Sequence, residues 1–597
     1  MTPEGCDLSA PAIELSGVVK DYGRTRALAG IDLVVERGRI FGFLGPNGAG
    51  KTTAIRVLLD LIRPNAGTAR VLGFDSQRET LEVRRRVGYL PGDLRMYEGL
   101  RGEEFLDFID SFRPEMRDAT YRHELTERLG LDPSKRIRAL SKGNRQKLGF
   151  IQALMHRPEL LILDEPTSGL DPLVQEEVAQ ILEDAVADGR TVFFSSHVLP
   201  EVERLSETVA IIREGRIVAI EDVARLKARS VHVIEVTFAA PPPAGLFALP
   251  GVEELRRDGN VVHVQAHGGI DAVIKAIAQY DVIDLRTQQR TWRMCFWRTT
   301  RTTPRSRPGT MRARPDMQPA SVFFKSLRDE RWQVVGFGIA LAVMSSTAVF
   351  LWPSVRDTLQ NFELPAAIKA FIGTDLSIAT AAGYISARYF GWVDILLIVF
   401  AVIQGTGAIA GEESSGTMDL LLAQPIARRD VVLQKVSAVV LGCAGIIAIG
   451  WLGFALSIPF VGINLSLADT AVASANMLPL TLLFFSLSLW AGAVAPSRGV
   501  ASGMAIGLAT AWYFISLLAN GVESLRNLRY ATPFYYYGSG ESLVRGIDWP
   551  HVALLLGISA ALVALATRTF SRRDVSLGGG SDIDLPEMLR RIAAGGV

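Results

Sequence analysis

The stretch Gly45 to Thr52, GPNGAGKT, has the spacing G-x-x-x-x-G-K-[ST]. These residue types at this spacing can hold a phosphate chain. Gly45, Gly48 and Gly50 let the backbone curl so that its N–H groups converge on phosphate oxygens, with Pro46, Asn47 and Ala49 between them. Lys51 should reach the β- and γ-phosphates, and Thr52 should ligate Mg²⁺. The helix expected from Thr53 turns its positive end toward the same point. Further on, ELLILDEP (Glu159 to Pro166) is an apolar run ending in two carboxylates. Asp164 suits Mg²⁺, and Glu165 is placed to act as general base on water. The run TVFFSSH ends in His197, a candidate γ-phosphate contact and catalytic partner. This set points to hydrolysis of a nucleoside triphosphate.

The elements that must position these groups are legible around them. IFGFL before the glycine loop and LLIL before Asp164 read as buried strands, and TAIRVLL after Lys51 reads as a helix. Between the sites lies ALSKGNRQKLGFIQAL. The order of these motifs, from about Ile13 to Ala228, resembles the nucleotide-binding domain of ATP-binding-cassette (ABC) transporters. The resemblance implies ATP and Mg²⁺ as ligands and an α/β P-loop fold. It implies that Tyr22 stacks on adenine and that His197 is the switch histidine. Asp171 would be the D-loop aspartate. Leu140 to Asn144 would be the signature loop, whose Ser141 and Gly143 cap ATP bound to a second protomer. Two departures stand out. The signature reads LSKGN where LSGGQ is usual, so Lys142 replaces a glycine. Gly92 stands where the family carries a glutamine, and Asp93 beside it is a candidate substitute ligand for Mg²⁺.

The chain has 597 residues, a net charge of +1 and 49% hydrophobic residues. A near-neutral balance gives no argument for nucleic-acid binding. Cys6, Cys295 and Cys443 have no metal-ligand or disulfide spacing. The N-terminus shows no basic start and no apolar core, so no secretory signal is expected. Residues 231 to 288 read as a small α+β appendage. From about 333 the character changes. Six apolar runs of membrane length follow, roughly 333–353, 388–410, 437–461, 472–494, 499–519 and 551–570. Lysines and arginines near 325–331, 428–435, 498 and 572–573 place both ends of this all-α region on the cytoplasmic side of the cell membrane. GEESSGTMDLLLAQPIARRDVVLQK (Gly411 to Lys435) and the ending TFSRRDV resemble ABC-2 type export permeases. In that family this loop includes a short helix that docks on the ATPase. Gly499, Gly503 and Gly507 form a small-residue face that permits close helix packing. Asp394 reads as an interfacial charge beside Trp392, with an intramembrane functional role as its alternative.

The junction RTWRMCFWRTTRTTPRSRP (Arg290 to Pro308) has arginines and tryptophans but no acid. Two readings are open. One is a basic linker on anionic lipid. The other is an out-of-frame stretch: regrouping the codons of Met294 to Trp297 by one base forces Val, Phe or Leu, then Leu, and Arg290 to Thr300 can encode DLEDVFLAYY. The expected architecture is therefore an ABC nucleotide-binding domain (1–230), an appendage (231–289), this junction (290–316), a six-helix permease (317–575) and a cytoplasmic tail (576–597). The expected function is ATP-driven export of an amphiphilic drug or lipid by a homodimer. The resemblance is nearest to bacterial exporters that confer resistance to antibiotics of the polyketide or anthracycline kind. The alternative is a membrane ATPase that regulates a partner without transport.

Overall fold

The computed structural model describes residues 10–228, 231–267, 270–290, 322–360, 379–538 and 541–575. The Arg-rich junction beyond Arg290 and the tail after Val575 lie outside the described residues. The chain forms two compact units. One comprises Met1–Leu94 and Met116–Arg314, the other Arg95–Glu115 and Pro315–Val597.

The first unit is built on two sheets. Strands β1 (Ile13–Tyr22), β2 (Thr25–Val35), β4 (Ala66–Val71) and β5 (Phe74–Asp75) form an antiparallel sheet in the order β2-β1-β4-β5. The larger sheet has the order β10-β9-β3-β8-β7-β6. It consists of β3 (Ile40–Leu44), β6 (Val87–Leu90), β7 (Leu160–Asp164), β8 (Thr191–Ser196), β9 (Thr208–Arg213) and β10 (Arg216–Asp222). All neighbours in it are parallel except β10, which returns antiparallel to β9. Parallel strands are covered on both faces and must be apolar throughout. Every residue of β3, β6, β7 and β8 is buried accordingly. The three central strands β3, β8 and β7 end side by side, which brings Gly45 and His197, just after β3 and β8, and Asp164, the last residue of β7, to one edge. That placement follows the rule that ligands of open α/β sheets bind at the carboxyl ends of the strands.

The appendage has the expected form. Strands β11 (Val231–Phe238), β12 (Val252–Asp258), β13 (Val261–His267) and β14 (Val282–Arg290) make a fully antiparallel sheet in the order β12-β13-β11-β14. The helix Asp271–Ile277 closes its own small core, where Val236, Val262, Val264 and Val273 are fully buried.

Among the described residues, the second unit holds six helices long and apolar enough to cross a membrane: Val322–Leu359, Ala381–Ser415, Arg428–Val461, Leu467–Val494, Arg498–Gly521 and Trp549–Arg572. Each expected run lies inside one of them. The helices extend further because polar turns continue them. The first, with 38 residues, is about 57 Å long and exceeds a ~30 Å hydrocarbon core. The second span is not a plain α-helix: Ser386–Phe390 and Gly407–Gly411 are π-helical. Such segments shift the register of the side chains that follow.

Three features of this unit bear on the sequence expectations. The segment Arg95–Glu115, expected to belong to the nucleotide-binding domain, groups with the membrane helices. Its helix Gly102–Asp110 ties to the first span through Glu104 and Arg328 at 2.7 Å, and Arg113 donates to Gln424 in the loop after the second span. The small-residue face of the fifth span also packs differently. A Cβ on Gly503 or Gly507 would meet nothing within 4 Å in the described chain. Close approach occurs instead at Gly405, which lies against Phe485 and Ser488, and at Gly450 and Gly453, which lie against Leu341, Ala342 and Ser345. Asp394 is buried, at 5% exposure.

Candidate functional site

The glycine loop joins β3 to the helix α1 (Lys51–Leu58), which starts at Lys51, two residues earlier than expected. Gly48 and Gly50 have φ of +80° and +108°, values that a side chain rarely tolerates. A Cβ on Gly50 would also lie 2.6 Å from the Ala27 carbonyl. The loop is anchored by the Gly45 N–H, which donates to Ser196 O at 3.2 Å. Lys51 is buried, and its ammonium donates to the carbonyls of Gly45 (2.6 Å) and Pro46 (3.3 Å). It also lies 3.7 Å from Glu165 Oε1. Burial lowers the Lys51 pKa, and the carboxylates of Glu165 and Asp164 oppose the shift.

Thr52 and Asp164 come together as the sequence implies. The Thr52 hydroxyl donates to Asp164 Oδ2 at 2.7 Å. The Ser195 hydroxyl holds the other oxygen. A hydroxyl and a buried carboxylate are hard oxygen donors that suit Mg²⁺, which keeps waters and phosphate oxygens for its remaining positions. Gly92 is beside them: a Cβ there would be 3.0 Å from Asp164 Oδ2. Its place next to the Asp164 carboxylate agrees with the position that the resemblance assigns it. Asp93, beside Gly92, is exposed. Thr53 lies in the first turn of α1.

Glu165 and His197 are paired, with Oε2 and Nδ1 2.7 Å apart. Glu165 sits at φ +54°, a left-handed conformation that costs a non-glycine residue about 1 kcal/mol or more. Its surroundings enforce it. The Glu165 N–H donates to Ser195 O at 3.1 Å, and the buried Gln146 amide donates to the carbonyls of Glu165 (3.3 Å) and Pro166 (3.1 Å). Gln146 comes from α2 (Lys142–Leu154), the helix that Ser141 caps through the Asn144 N–H. Gly143 lies against Gly169, since its Cβ would be 3.1 Å from the Gly169 carbonyl. The Lys142 stem crosses Gly169, which has no Cβ and sits at φ +78°. That gap accommodates the lysine in place of the usual glycine. Asp171 caps α3 (Pro172–Ala187), its carboxylate accepting the Val174 N–H. No hydrogen bond joins Ser141 or Gly143 to Lys51, Thr52 or Glu165 among the described residues. Tyr22 is exposed at the end of β1, with the Lys20 ammonium 5.5 Å from its ring centre.

Two contributors were not legible in the sequence. Gln146 is one. The other is Glu201 on α4 (Leu199–Leu205), whose carboxylate accepts from the hydroxyls of Ser196 (2.6 Å) and Thr167 (2.5 Å). Burial raises the Glu201 pKa against those two hydrogen bonds. Its only sequence signal was an acid four residues after His197 in PEVE, which matches an ordinary solvated helix turn.

A family model described as "ABC transporter" matches residues 28–168, and one described as "ABC-2 family transporter protein" matches residues 275–575. A third, for an AAA domain, overlaps residues 135–202. The chain is 40% identical over 212 residues to the daunorubicin/doxorubicin resistance ATP-binding protein DrrA of Streptomyces peucetius. That match covers 35% of this chain and 64% of the relative, somewhat under two thirds of its length. It is 32% identical to the bacitracin transport ATP-binding protein BcrA of Bacillus licheniformis, over 46% of this chain and 91% of the relative. A solved ATP-binding subunit of an ABC transporter matches at 26% identity and a TM-score of 0.34, covering 36% of this chain and 92% of that one. The chain belongs to the ABC transporter family, with a P-loop ATPase domain and an ABC-2 type membrane domain in one polypeptide.

Proposed function

We propose that the protein is an ATP-driven exporter that moves an amphiphilic drug, antibiotic or lipid outward across the cell membrane. The observation that carries the proposal is the presence in one chain of the Thr52–Asp164 and Glu165–His197 pairs beside the P-loop and of six membrane-length helices among the described residues. The P-loop N–H groups and Lys51 would hold the phosphates. Thr52 and Asp164 would hold Mg²⁺, which supplies charge neutralisation at the phosphates when bound. The Glu165 carboxylate takes a proton from the attacking water, and His197 fixes that carboxylate through its 2.7 Å contact.

One chain has one P-loop and one signature helix. Two copies would complete two ATP sites, each using Ser141 and Gly143 of the other copy, so the working form is a homodimer with its ATPase on the cytoplasmic side. The substrate class rests on the relatives, whose names record daunorubicin, doxorubicin and bacitracin. The test is ATPase activity of the full chain in proteoliposomes. Added amphiphile should stimulate hydrolysis several-fold. Glu165→Gln should lower kcat by about 10² or more while ATP still binds. Hydrolysis that no amphiphile changes, and that responds only to another protein, would favour the regulatory ATPase instead.

A further inference from the structure

The Glu165 carboxylate reaches its place only because the backbone departs from the strand before it. Asp164 is the last residue of β7, and successive residues of a strand face opposite sides. An extended Glu165 would turn away from the side that Asp164 faces. Instead the two carboxylates reach adjacent residues of α1. Asp164 Oδ2 accepts from the Thr52 hydroxyl at 2.7 Å, and Glu165 Oε1 lies 3.7 Å from the Lys51 ammonium. The left-handed φ of +54° at Glu165 makes this possible. The sequence itself opposes that conformation. Glu165 has a Cβ, and it precedes Pro166, whose ring pushes the preceding residue toward extended backbone. Such a conformation persists only where the surroundings over-determine it.

Backbone anchors supply part of that determination. The Glu165 N–H donates to Ser195 O on β8 at 3.1 Å, and the Ser168 N–H donates to Glu165 O at 3.2 Å. A side chain supplies the rest. The amide nitrogen of Gln146 has two protons to give. It donates to Glu165 O at 3.3 Å and to Pro166 O at 3.1 Å, which lie on either side of Pro166. Gln146 is 5% exposed, so bulk water does not stand in for it. It belongs to α2, whose first turn presses on the far end of the same loop, where a Cβ on Gly143 would lie 3.1 Å from Gly169 O. The bland account is a buried glutamine that satisfies carbonyls and serves folding alone. Yet both carbonyls fall on the turn that aims the general base.

We infer that Gln146 is a positioning residue for ATP hydrolysis: its amide locks the Glu165–Pro166 backbone and so aims the Glu165 carboxylate at His197 and the attacking water. The inference rests on the reading of Glu165 as general base.

The test is ATP hydrolysis by the full chain in proteoliposomes, followed with radiolabelled ATP. Wild type, Gln146→Met, Glu165→Gln and the double variant are compared, and TNP-ATP fluorescence reports nucleotide binding. Methionine keeps the unbranched length of the side chain and removes both donors. Gln146→Met should lower kcat about ten-fold or more, with KM for ATP and TNP-ATP affinity within about two-fold of the wild type. In the Glu165→Gln background the same change should alter the residual rate by less than about two-fold, because no carboxylate is left to aim. If Gln146→Met does not give monodisperse protein, Gln146→Asn is read by the same criteria, since its amide is one methylene too short to reach both carbonyls. A kcat per folded molecule within about two-fold of the wild type overturns the inference. So does an equal fall in both backgrounds, the mark of a structural role. Loss of hydrolysis in Glu165→Gln beside an intact Gln146→Met would sink this inference and leave the export reading standing. Full hydrolysis in Glu165→Gln would overturn the general-base assignment and the inference with it.

Discussion

Glu201 ties together the two segments that carry the catalytic pair. Thr167 follows Glu165 by two residues, Ser196 precedes His197, and the two hydroxyls share one buried carboxylate. Removing the carboxylate leaves the half-buried Thr167 hydroxyl without this acceptor and the buried Ser196 hydroxyl with the Val198 carbonyl at 3.4 Å, at a total cost on the order of 1–3 kcal/mol. Glu201 is thus a positioning residue. Glu201→Ala should lower kcat for ATP hydrolysis about ten-fold or more with KM for ATP little changed, and Glu201→Gln should recover part of the loss. A proportional fall in the amount of folded protein, with kcat per folded molecule intact, would show a structural role only. At this scale the sequence was informative wherever a residue type is demanded by chemistry. Lys51, Thr52, Asp164, Glu165 and His197 all converge. It was silent on Gln146 and Glu201, because a glutamine or glutamate on a helix has many uses and only the fold shows which backbone it meets.

At the scale of elements, the segment Arg95–Glu115 departs most from the sequence reading. Leu94 is the last residue before it in the first unit, and Gly92 is the residue against Asp164. The segment that starts three residues after Gly92 thus belongs to the membrane-helix unit. There Tyr97 lies under the Lys325 ammonium at 3.7 Å, and Arg95 packs against Gly416, whose φ is +74°. Gly416 separates two short helices, Glu412–Ser415 and Thr417–Leu422. The first carries Glu412, bonded to Lys435 of the third span at 2.8 Å, and Glu413, paired with Arg573 after the sixth. Three spans therefore meet at two adjacent carboxylates. The Lys435 ammonium also donates to Ala408 O at 2.7 Å, a carbonyl of the π-helical segment. Irregular backbone at this depth needs such a partner.

The Glu104–Arg328 pair joins the helix Gly102–Asp110 to the first span at 2.7 Å, and stimulated hydrolysis tests its role. Glu104→Ala or Arg328→Ala should keep unstimulated hydrolysis within about two-fold and abolish its stimulation by amphiphile, and the charge-swapped double variant Glu104→Arg with Arg328→Glu should restore part of it. Loss of both activities in the single variants, or no rescue in the double one, would contradict this. The pair also has a pH signature. Burial opposes ionisation of Glu104, but the Arg101 N–H and the Arg328 guanidinium outweigh it and leave its pKa below the usual value. A carboxylate with a depressed pKa stabilises the fold above its unfolded pKa, and that contribution fades as pH falls through the folded value. Thermal stability should therefore drop less steeply below about pH 4.5 in Arg328→Ala than in the wild type. The grouping of this segment was not legible because its own sequence, MYEGLRGEEFLDF, reads as one more amphipathic helix of an α/β domain. Its partners Lys325, Arg328 and Gln424 lie more than two hundred residues away, and no local pattern announces them.

At the scale of the whole molecule, composition alone separated an α/β half from an apolar half, because membrane-length runs and alternating strand–helix patterns have different physical signatures. The small-residue face of the fifth span shows the limit of that approach. Gly503 and Gly507 have the right spacing for close packing but meet nothing within 4 Å among the described residues of one chain, where the tight approaches fall at isolated glycines such as Gly405 and Gly453. Spacing shows that a helix has a smooth face, while neighbours are set by tertiary packing. The junction at Arg290 has its own test: intact mass of the product from the native gene. A single species near 64.9 kDa supports a continuous chain with a basic linker. Two smaller species, with DLEDVFLAYY restored, support two polypeptides.

The most direct test of the central claim is transport itself. Inside-out membrane vesicles containing the full chain are given ATP and a fluorescent amphiphile, and accumulation in the lumen is followed over time. The account predicts ATP-dependent accumulation that vanishes in Glu165→Gln at equal protein level. Accumulation equal in the wild type and Glu165→Gln, or none in the wild type while ATP is hydrolysed, would contradict it.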